Sequence, residues 1–295
     1  MMRSMFAGVS GLRNHQIKMD VIGNNIANVN TYGYKMSRVA FQDMYSQNIR
    51  SASSGTAGLG GTNPMQIGLG TSTAAIDVLH EGGGAATTDR PLDFCIEGNG
   101  FFAVQQNEDT YYTRAGNLYL DAQGYLITAN GLFVKGIMGT DEGNYFDLGV
   151  PDKVNLIDLE NFDPENDGDD VGRLVIPDGF ESISINSKGV ISGKYKDGET
   201  YVIGQILLTT FKNPSGLTKE GNNLYAATAN SGPAVIGQPG ATGVGTIRSG
   251  ALEMSNVDLS KEFTDMIITQ RGFQANSRII TVSDTLLEEL INLKR

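Results

Sequence analysis

SNVDLSKEFTDMIITQRGFQANSRIITVSDTLLEELINLKR, residues 255–295, carries an apolar residue at every seventh position and no proline. A seven-residue apolar repeat of this length is typical of a coiled-coil helix. Asn256 or Asp258 can cap its first turn, since a short polar side chain accepts hydrogen bonds from free backbone N–H groups. The repeat consists of Leu259, Met266, Phe273, Ile280 and Leu287, and the stripe is widened by Phe263, Ile267, Ile279, Leu286, Leu290, Ile291 and Leu293.

A second heptad pattern lies near the opposite end of the sequence and predicts a helix over about residues 3–29. It consists of Met5, Leu12, Met19 and Ile26, with Val9, Ile22 and Val29 at the intermediate positions. An isolated helix is marginally stable in water, so each apolar stripe needs a partner. The two patterns therefore predict a terminal coiled coil. The alternative is two unrelated amphipathic helices that pack on a common core.

The composition indicates a turn-rich, largely β middle between these helices. The chain has 295 residues, of which 38 are Gly, none is Trp and only 19% are charged. We therefore expect an α+β fold with long terminal heptad helices that pair as a coiled coil and a β-rich middle domain. The net charge of −11 argues against nucleic acid as a partner, because phosphate binding needs clustered Lys and Arg.

Two similar phrases in the middle predict β-hairpins of one type. Residues 118–126 and 183–191 share an aliphatic, x, aliphatic, Asp or Asn, x, x, Gly, x, aliphatic pattern. In the first hairpin we expect turns at Asp121–Gly124 and Asn130–Gly131, since Gly and Asn accept the backbone angles of tight turns.

The segment 140–182 is strongly acidic and is expected to lie on the outer surface. Between Asp141 and Asp170 there are eleven acidic residues and one lysine. The run Asp163 to Leu174 begins like a calcium-binding loop, but Leu174 stands where a bidentate Glu is required. A solvated acidic loop is the favoured interpretation, and a calcium site is the alternative.

No group of residues suggests chemistry. Cys95, the single cysteine, lies in an apolar run and is expected to be a small buried hydrophobe. His15 and His80 have no companions that would complete a metal site or a catalytic triad. We expect no catalytic, cofactor-binding or metal-binding residues, no enzyme activity and no membrane insertion, since no apolar run approaches 18 residues. A cleavable signal peptide is not expected either.

Three stretches resemble the bacterial flagellar rod and hook axial proteins. They are DVIGNNIANVNTYGYK at 20–35, RPLDFCIEGNGFFAV at 90–104, and the C-terminal residues 254–295. The resemblance marks a signature turn after the first helix, formed by Asn24, Asn25, Asn28, Thr31, Gly33 and Lys35.

The resemblance implies a self-assembling structural subunit of the flagellum whose paired terminal helices line the central channel of a tube. Heptad residues 5, 12, 19, 26, 259, 266, 273, 280 and 287 are the expected assembly residues. The hook subunit is the first expectation and the distal rod subunit of the basal body the alternative. The rod alternative rests on the stretch 46–70, which is similar in length to a segment associated with rod stiffness. A secreted β-rich binding module is a more distant alternative.

The same resemblance implies partners and a domain plan. The expected partners are further copies of the chain in a helical homopolymer, the distal rod subunit, the hook cap and the hook–filament junction proteins. We expect export through the flagellar secretion channel and a location in the flagellar hook or basal body. The predicted regions are a coiled coil (1–34 and 255–295), connecting segments (35–70 and 227–254), a β-rich domain (71–139 and 183–226) and the acidic insertion (140–182).

Overall fold

The computed structural model describes residues 2–55, 60–138, 171–177, 179–196 and 200–293. The chain divides into two compact units. Unit 1 comprises residues 1–28, 36–79 and 257–295, and unit 2 comprises residues 29–35 and 80–256. The α+β prediction, with long terminal helices and a β-rich middle, is confirmed.

Unit 1 contains both long helices and two pairs of strands. Its elements are α1 (Met2–Ala27), β1 (Ser37–Asp43), β2 (Ser46–Arg50), β3 (Met65–Gly68), β4 (Thr71–Val78) and α2 (Leu259–Asn292). Asp258 caps α2 as predicted, since its carboxylate accepts hydrogen bonds from the backbone N–H groups of Ser260 and Lys261. Strand β1 pairs antiparallel with β4, and β2 pairs antiparallel with β3.

Unit 2 is built mainly of antiparallel strands. Its strands are β5 (Ala85–Thr87), β6 (Phe94–Glu97), β7 (Phe101–Gln106), β8 (Asp109–Thr113), β9 (Leu118–Leu120), β10 (Leu126–Thr128), β11 (Phe133–Met138), β12 (Val171–Arg173), β13 (Phe180–Ile185), β14 (Val190–Tyr195), β15 (Thr200–Ile206), β16 (Leu208–Thr210), β17 (Thr218–Gly221), β18 (Leu224–Ala226), β19 (Val235–Gly237), β20 (Thr246–Ser249) and β21 (Ala251–Glu253), with a 3₁₀ turn at Pro214–Gly216. The principal sheet has the order β13-β14-β15-β11-β7-β8-β18-β17, while β20 pairs with β6 and β21 with β5.

The core of unit 2 is a cluster of aliphatic and aromatic side chains between these strands. Phe102, Val104, Leu118, Leu126 and Val134 are completely buried within it. Side chains alternate between the two faces of a strand, so each strand contributes one face to the cluster. The other face of β7 is buried too, since Phe101 and Ala103 belong to a second, smaller cluster. This core makes unit 2 a stable platform for the polar contacts described below.

The two predicted hairpins form, and their turns have the same hydrogen bonds. Gly124 and Gly189 adopt left-handed backbone angles, with φ of 80° and 74°. Each donates its N–H to the carbonyl three residues earlier, that of Asp121 in one hairpin and Asn186 in the other, at 2.9 Å in both. A left-handed angle at this position favours Gly, which explains the shared spacing.

The predicted domain plan and the two units divide the chain differently. The range 35–70, predicted as a connecting segment, contains the paired strands β1 and β2–β3 of unit 1, and the range 227–254 contains β19, β20 and β21 of unit 2. The assignment of these ranges as connecting segments between the coiled coil and the β-rich domain stays a prediction. Most of the predicted insertion, including residues 163–170 of the calcium-loop alternative, lies outside the described residues. Leu174 and Ile176, at its C-terminal end, are buried in the core of unit 2.

Candidate assembly surfaces and the signature turn

Helices α1 and α2 pack antiparallel in unit 1. Asn25, near the end of α1, contacts Glu262, near the start of α2, and Lys18 forms an ion pair with Asp265. At the other end of α1, the space beside Gly8 is filled by Ile280. Contacting residues therefore follow opposite directions along the two helices. The sequence predicts that the helices pair, and their antiparallel register is an observation of the structure.

The predicted heptad residues lie at the edges of the contact between α1 and α2 and not at its most buried positions. On α1 all four are half-buried, as are Met266, Phe273, Ile280 and Leu287 on α2, while Leu259 is exposed. The fully buried residues of α2 are Glu262, Thr269 and Ser283. Each of these polar residues lies three positions after a predicted heptad residue. Together they form a second line along α2, beside the predicted apolar line. The role of the nine predicted residues in assembly stays a prediction.

A large part of the apolar surface of α2 is exposed in the single chain. Its members are Phe263, Ile267, Ile268, Ile279, Val282, Leu286, Leu290 and Ile291, together with Leu293 at the C-cap, and these residues are between 44% and 82% exposed. This many exposed large apolar side chains on one helix is typical of a protein interaction site. Unit 1 has further exposed apolar residues on the hairpin β2–β3, where Ile49 and Met65 are half exposed.

The first half of the signature turn closes α1. The N–H of Asn28 donates to the carbonyl of Asn24, and its side-chain amide donates to the same carbonyl at 2.9 Å. Asn25 is 1% exposed, and its amide forms two hydrogen bonds with the backbone of Ser37, one as donor and one as acceptor. Asn25 therefore joins the last turn of α1 to the first residue of β1.

The second half of the turn belongs to unit 2. Gly33 has a φ of 70° and donates its N–H to the carbonyl of Glu253 at 2.8 Å. A Cβ atom at Gly33 would lie 2.7 Å from the backbone nitrogen of Ala115, so both space and backbone angle require glycine. The carbonyl of Tyr32 accepts a hydrogen bond from the side-chain amide of Asn223. Thr31 accepts one at its carbonyl from the N–H of Tyr34.

Lys35, the last signature residue, is fully buried in an ionic cluster. Its ammonium contacts the Glu253 carboxylate and the Glu81 carbonyl, each at 2.6 Å. Arg114 approaches the other oxygen of Glu253 at 3.3 Å and donates to the carbonyl of Gly98. Burial lowers the pKa of Lys35, although the adjacent Glu253 acts in the opposite direction. One carboxylate thus serves two buried cations, which makes Glu253 the centre of the cluster.

His80 lies beside this cluster between two aromatic rings. Its ring centre is 5.4 Å from that of Phe101 and 5.3 Å from that of Tyr225, both edge to face. Burial, together with the positive charges of Arg114 and Lys35, lowers its pKa to about 4. His80 is therefore neutral at physiological pH and packs as a half-buried ring against Phe101 and Tyr225.

His15 and Cys95 both pack against neighbouring residues. His15 packs against Gly272 of α2 and edge to face on Phe41. Cys95 is 2% exposed in β6, as predicted, and burial raises the pKa of its thiol to about 11. In the described residues, no cluster of three or more His, Cys, Asp or Glu side chains is placed to hold a metal ion. None of the helices in that part of the chain has the length and apolar character needed to cross a membrane.

Three stretches of the chain match known protein families. Residues 5–35 match the family described as flagella basal body rod protein. Residues 95–193 match the flagellar hook protein FlgE/F/G D1 domain, and residues 248–293 match the flagellar basal body rod FlgEFG protein C-terminal family.

Full-length relatives extend the match over the whole chain. The flagellar basal-body rod protein FlgG of Bacillus subtilis is 47% identical over 296 residues, with all of both chains covered. The chain belongs to the flagellar hook and basal-body rod family. The flagellar hook protein FlgE and the rod protein FlgG of Borreliella burgdorferi are each 34% identical, again with all of both chains covered. This hook and rod family protein is therefore a structural component of the bacterial flagellum, and the matches indicate no catalytic family.

Sequence reasoning missed several residues that organise this family member. Glu253 and Arg114 carry no local signal, because their partners are 218 and 139 residues away in the sequence. Glu262, in contrast, carries a local signal in the sequence. It is an acidic residue on the second line of an apolar heptad, where a charge is expensive unless it is paired.

Proposed function

We propose that this chain is the distal rod subunit of the flagellar basal body and polymerises with copies of itself. The observation that carries the proposal is the 47% identity to a basal-body rod protein over the full length of both chains. The match to the hook protein of Borreliella burgdorferi has 34% identity and an alignment of 441 positions. Since this chain has 295 residues, that hook relative contains long segments that it lacks.

The exposed apolar surface of α2 supports polymerisation through unit 1. Burial of a large apolar side chain contributes about 1.5–3 kcal/mol, so nine exposed ones represent a large gain on contact with neighbouring subunits. In this proposal the helices of neighbouring copies cover one another's apolar faces around the central channel. The expected contacts with hook, cap and junction proteins remain part of the proposal.

Electron microscopy of the full chain, concentrated in sulfate to favour apolar burial, tests the proposal. Straight, stiff tubes with a central channel are the expected result. Curved, flexible tubes would overturn the rod assignment in favour of the hook subunit. If neither tubes nor elongation from added seeds is observed at any concentration, the result counts against polymerisation itself.

Phe273→Asp is the first variant to compare, because it places a charge on the half-buried apolar stripe of α2. We expect loss of tubes with the β structure of unit 2 retained, as measured by circular dichroism. The matched control is Gln274→Asp, which adds the same charge at the next, exposed position. Normal tubes from Phe273→Asp would contradict the role proposed for this stripe.

A further inference from the structure

The centre of the α1–α2 seam is polar on the α2 side. Glu262, Thr269 and Ser283 are buried there, and Asn276 completes the seven-residue spacing in a half-buried position. Thr269 and Ser283 donate to the carbonyls of Asp265 and Ile279 in their own helix, so their hydrogen bonds do not depend on the alignment with α1. Glu262 has its partner on α1, and a buried polar residue of that kind lowers stability but selects one alignment, because other alignments leave it without that partner. The apolar heptads alone do not make this selection, since a slip of seven residues brings equivalent residues together again.

Asn25 provides the partner for Glu262 in the observed alignment. Its amide donates to Oε2 of Glu262 at 3.3 Å and to the carbonyl of Ser37 at 2.9 Å, and its oxygen accepts from the N–H of Ser37. Asn25 and Glu262 are 1% and 4% exposed. Burial raises the pKa of Glu262, whereas the hydrogen bond from Asn25 favours its charged form. A slipped alignment would remove this donor from a buried carboxylate.

Two size matches occur in the same alignment. A Cβ atom at Gly11 would lie 2.5 Å from the side-chain nitrogen of Asn276, and one at Gly272 would lie 2.7 Å from Nε2 of His15. Each larger side chain therefore occupies the space left by a glycine on the other helix. A slip of one heptad would place Thr269 or Ser283 opposite Gly11 and lose both matches.

We propose that Asn25 and Glu262 determine the register of the α1–α2 pair, with the two glycine contacts as secondary selectors. The apolar stripes drive the association of the two helices, and this buried pair determines which helical turns contact one another. Because Asn25 also holds Ser37, the chosen register sets where β1 begins relative to α2. The proposal concerns unit 1 alone and holds whether the polymer is a rod or a hook.

Disulfide trapping in the full chain tests the register. Gly8→Cys with Ile280→Cys reports the observed alignment, since a Cβ atom at Gly8 would lie 3.4 Å from the Ile280 side chain and both glycine contacts described above are kept. Gly8→Cys with Phe273→Cys, or with Leu287→Cys, reports a slip of one heptad in either direction. After oxidation, peptide mass spectrometry distinguishes intrachain from interchain products. The native Cys95 is buried and common to all variants.

In the parent background we expect the observed-register product to dominate. In Asn25→Leu/Glu262→Leu, which removes the selecting pair but keeps apolar bulk, the ratio of slipped to observed product should rise about tenfold or more. Glu262→Gln, which keeps an acceptor for Asn25, should retain the parent ratio. The matched control is Arg13→Leu/Gln274→Leu, at exposed positions of the same helices. An unchanged ratio in the double leucine variant, or no observed-register product in the parent, would overturn the proposal.

Discussion

Glu253 illustrates a residue whose importance lies in its charge partners. It is 1% exposed and accepts from Lys35, from Arg114 and from the N–H of Gly83. Removal of its charge leaves two buried cations without a counterion, and breaking a buried ion pair typically costs about 3–5 kcal/mol. We therefore expect Glu253→Gln to lower the free energy of unfolding of unit 2 by roughly that amount, as measured by urea denaturation followed by circular dichroism.

The control for this prediction is Glu97→Gln. Glu97 pairs with Arg248 at 3.5 Å, but both side chains are about half exposed. Exposed ion pairs contribute about 0–1 kcal/mol, so this variant should unfold almost like the parent. Equal losses in the two glutamine variants would show that burial does not distinguish the two carboxylates.

His80 gives a pH dependence with a defined sign. Its pKa is about 4 in the folded chain against an ordinary value of 6.5. Between these values the unfolded chain binds the proton and the folded chain does not, so stability is complete above pH 6.5 and falls as the pH drops toward 4. The contribution of His80 to this slope is at most about 1.4 kcal/mol per pH unit.

His80→Phe should remove that contribution, because Phe keeps the edge-to-face contacts with Phe101 and Tyr225 but cannot be protonated. The measurement is the free energy of unfolding of parent and variant at pH 7, 6 and 5. Other titrating groups are common to both proteins, so only the difference between the two slopes matters. Parallel slopes would contradict the prediction.

At the scale of elements, the sequence predicted the features that are stabilised by contacts between residues close to one another in the chain. The Asp258 cap, the turn glycines 124 and 189, and the long helices all depend on residues within a few positions of one another, so the sequence displays them directly. The antiparallel seam and the Glu253 cluster depend on residues that meet only after folding. The polar line of α2 was missed for another reason: a search for apolar periodicity passes over Glu262 and Thr269.

Two glycines near the end of α1 should respond to alanine in opposite directions. Gly23 lies inside the helix with open space around its Cβ position, so Gly23→Ala should stabilise α1 by about 1 kcal/mol. Gly33 has a left-handed backbone angle and faces the backbone of Ala115, so Gly33→Ala should destabilise unit 2 by about 2 kcal/mol or more. Thermal unfolding followed by circular dichroism compares the two variants, and a shift of the same sign in both would refute the distinction.

For the whole molecule, exposed and half-buried apolar side chains of α2 should have different effects on folding and on assembly. Ile268 and Val282 are 59% and 58% exposed on α2, and they occupy the same heptad position two repeats apart. Since neighbours within the chain cover them only partly, Ile268→Gln/Val282→Gln should leave the free energy of unfolding within about 0.5 kcal/mol of the parent. Half-buried Phe273 differs, because its replacement by a polar residue should affect both folding and assembly.

Assembly of the Ile268→Gln/Val282→Gln variant should be strongly weakened if copies of the chain cover these side chains. Loss of about 1.5 kcal/mol at each position amounts to about 3 kcal/mol per subunit, which raises the critical concentration for polymerisation about a hundredfold. Sedimentation of polymer across a concentration series measures this value. The matched control, Gln270→Asn/Arg271→Lys, changes exposed polar residues of the same helix and should polymerise like the parent. A normal critical concentration for the glutamine variant would mean that this part of α2 faces solvent in the polymer, and the proposed contact would then have to lie on the other exposed residues of unit 1.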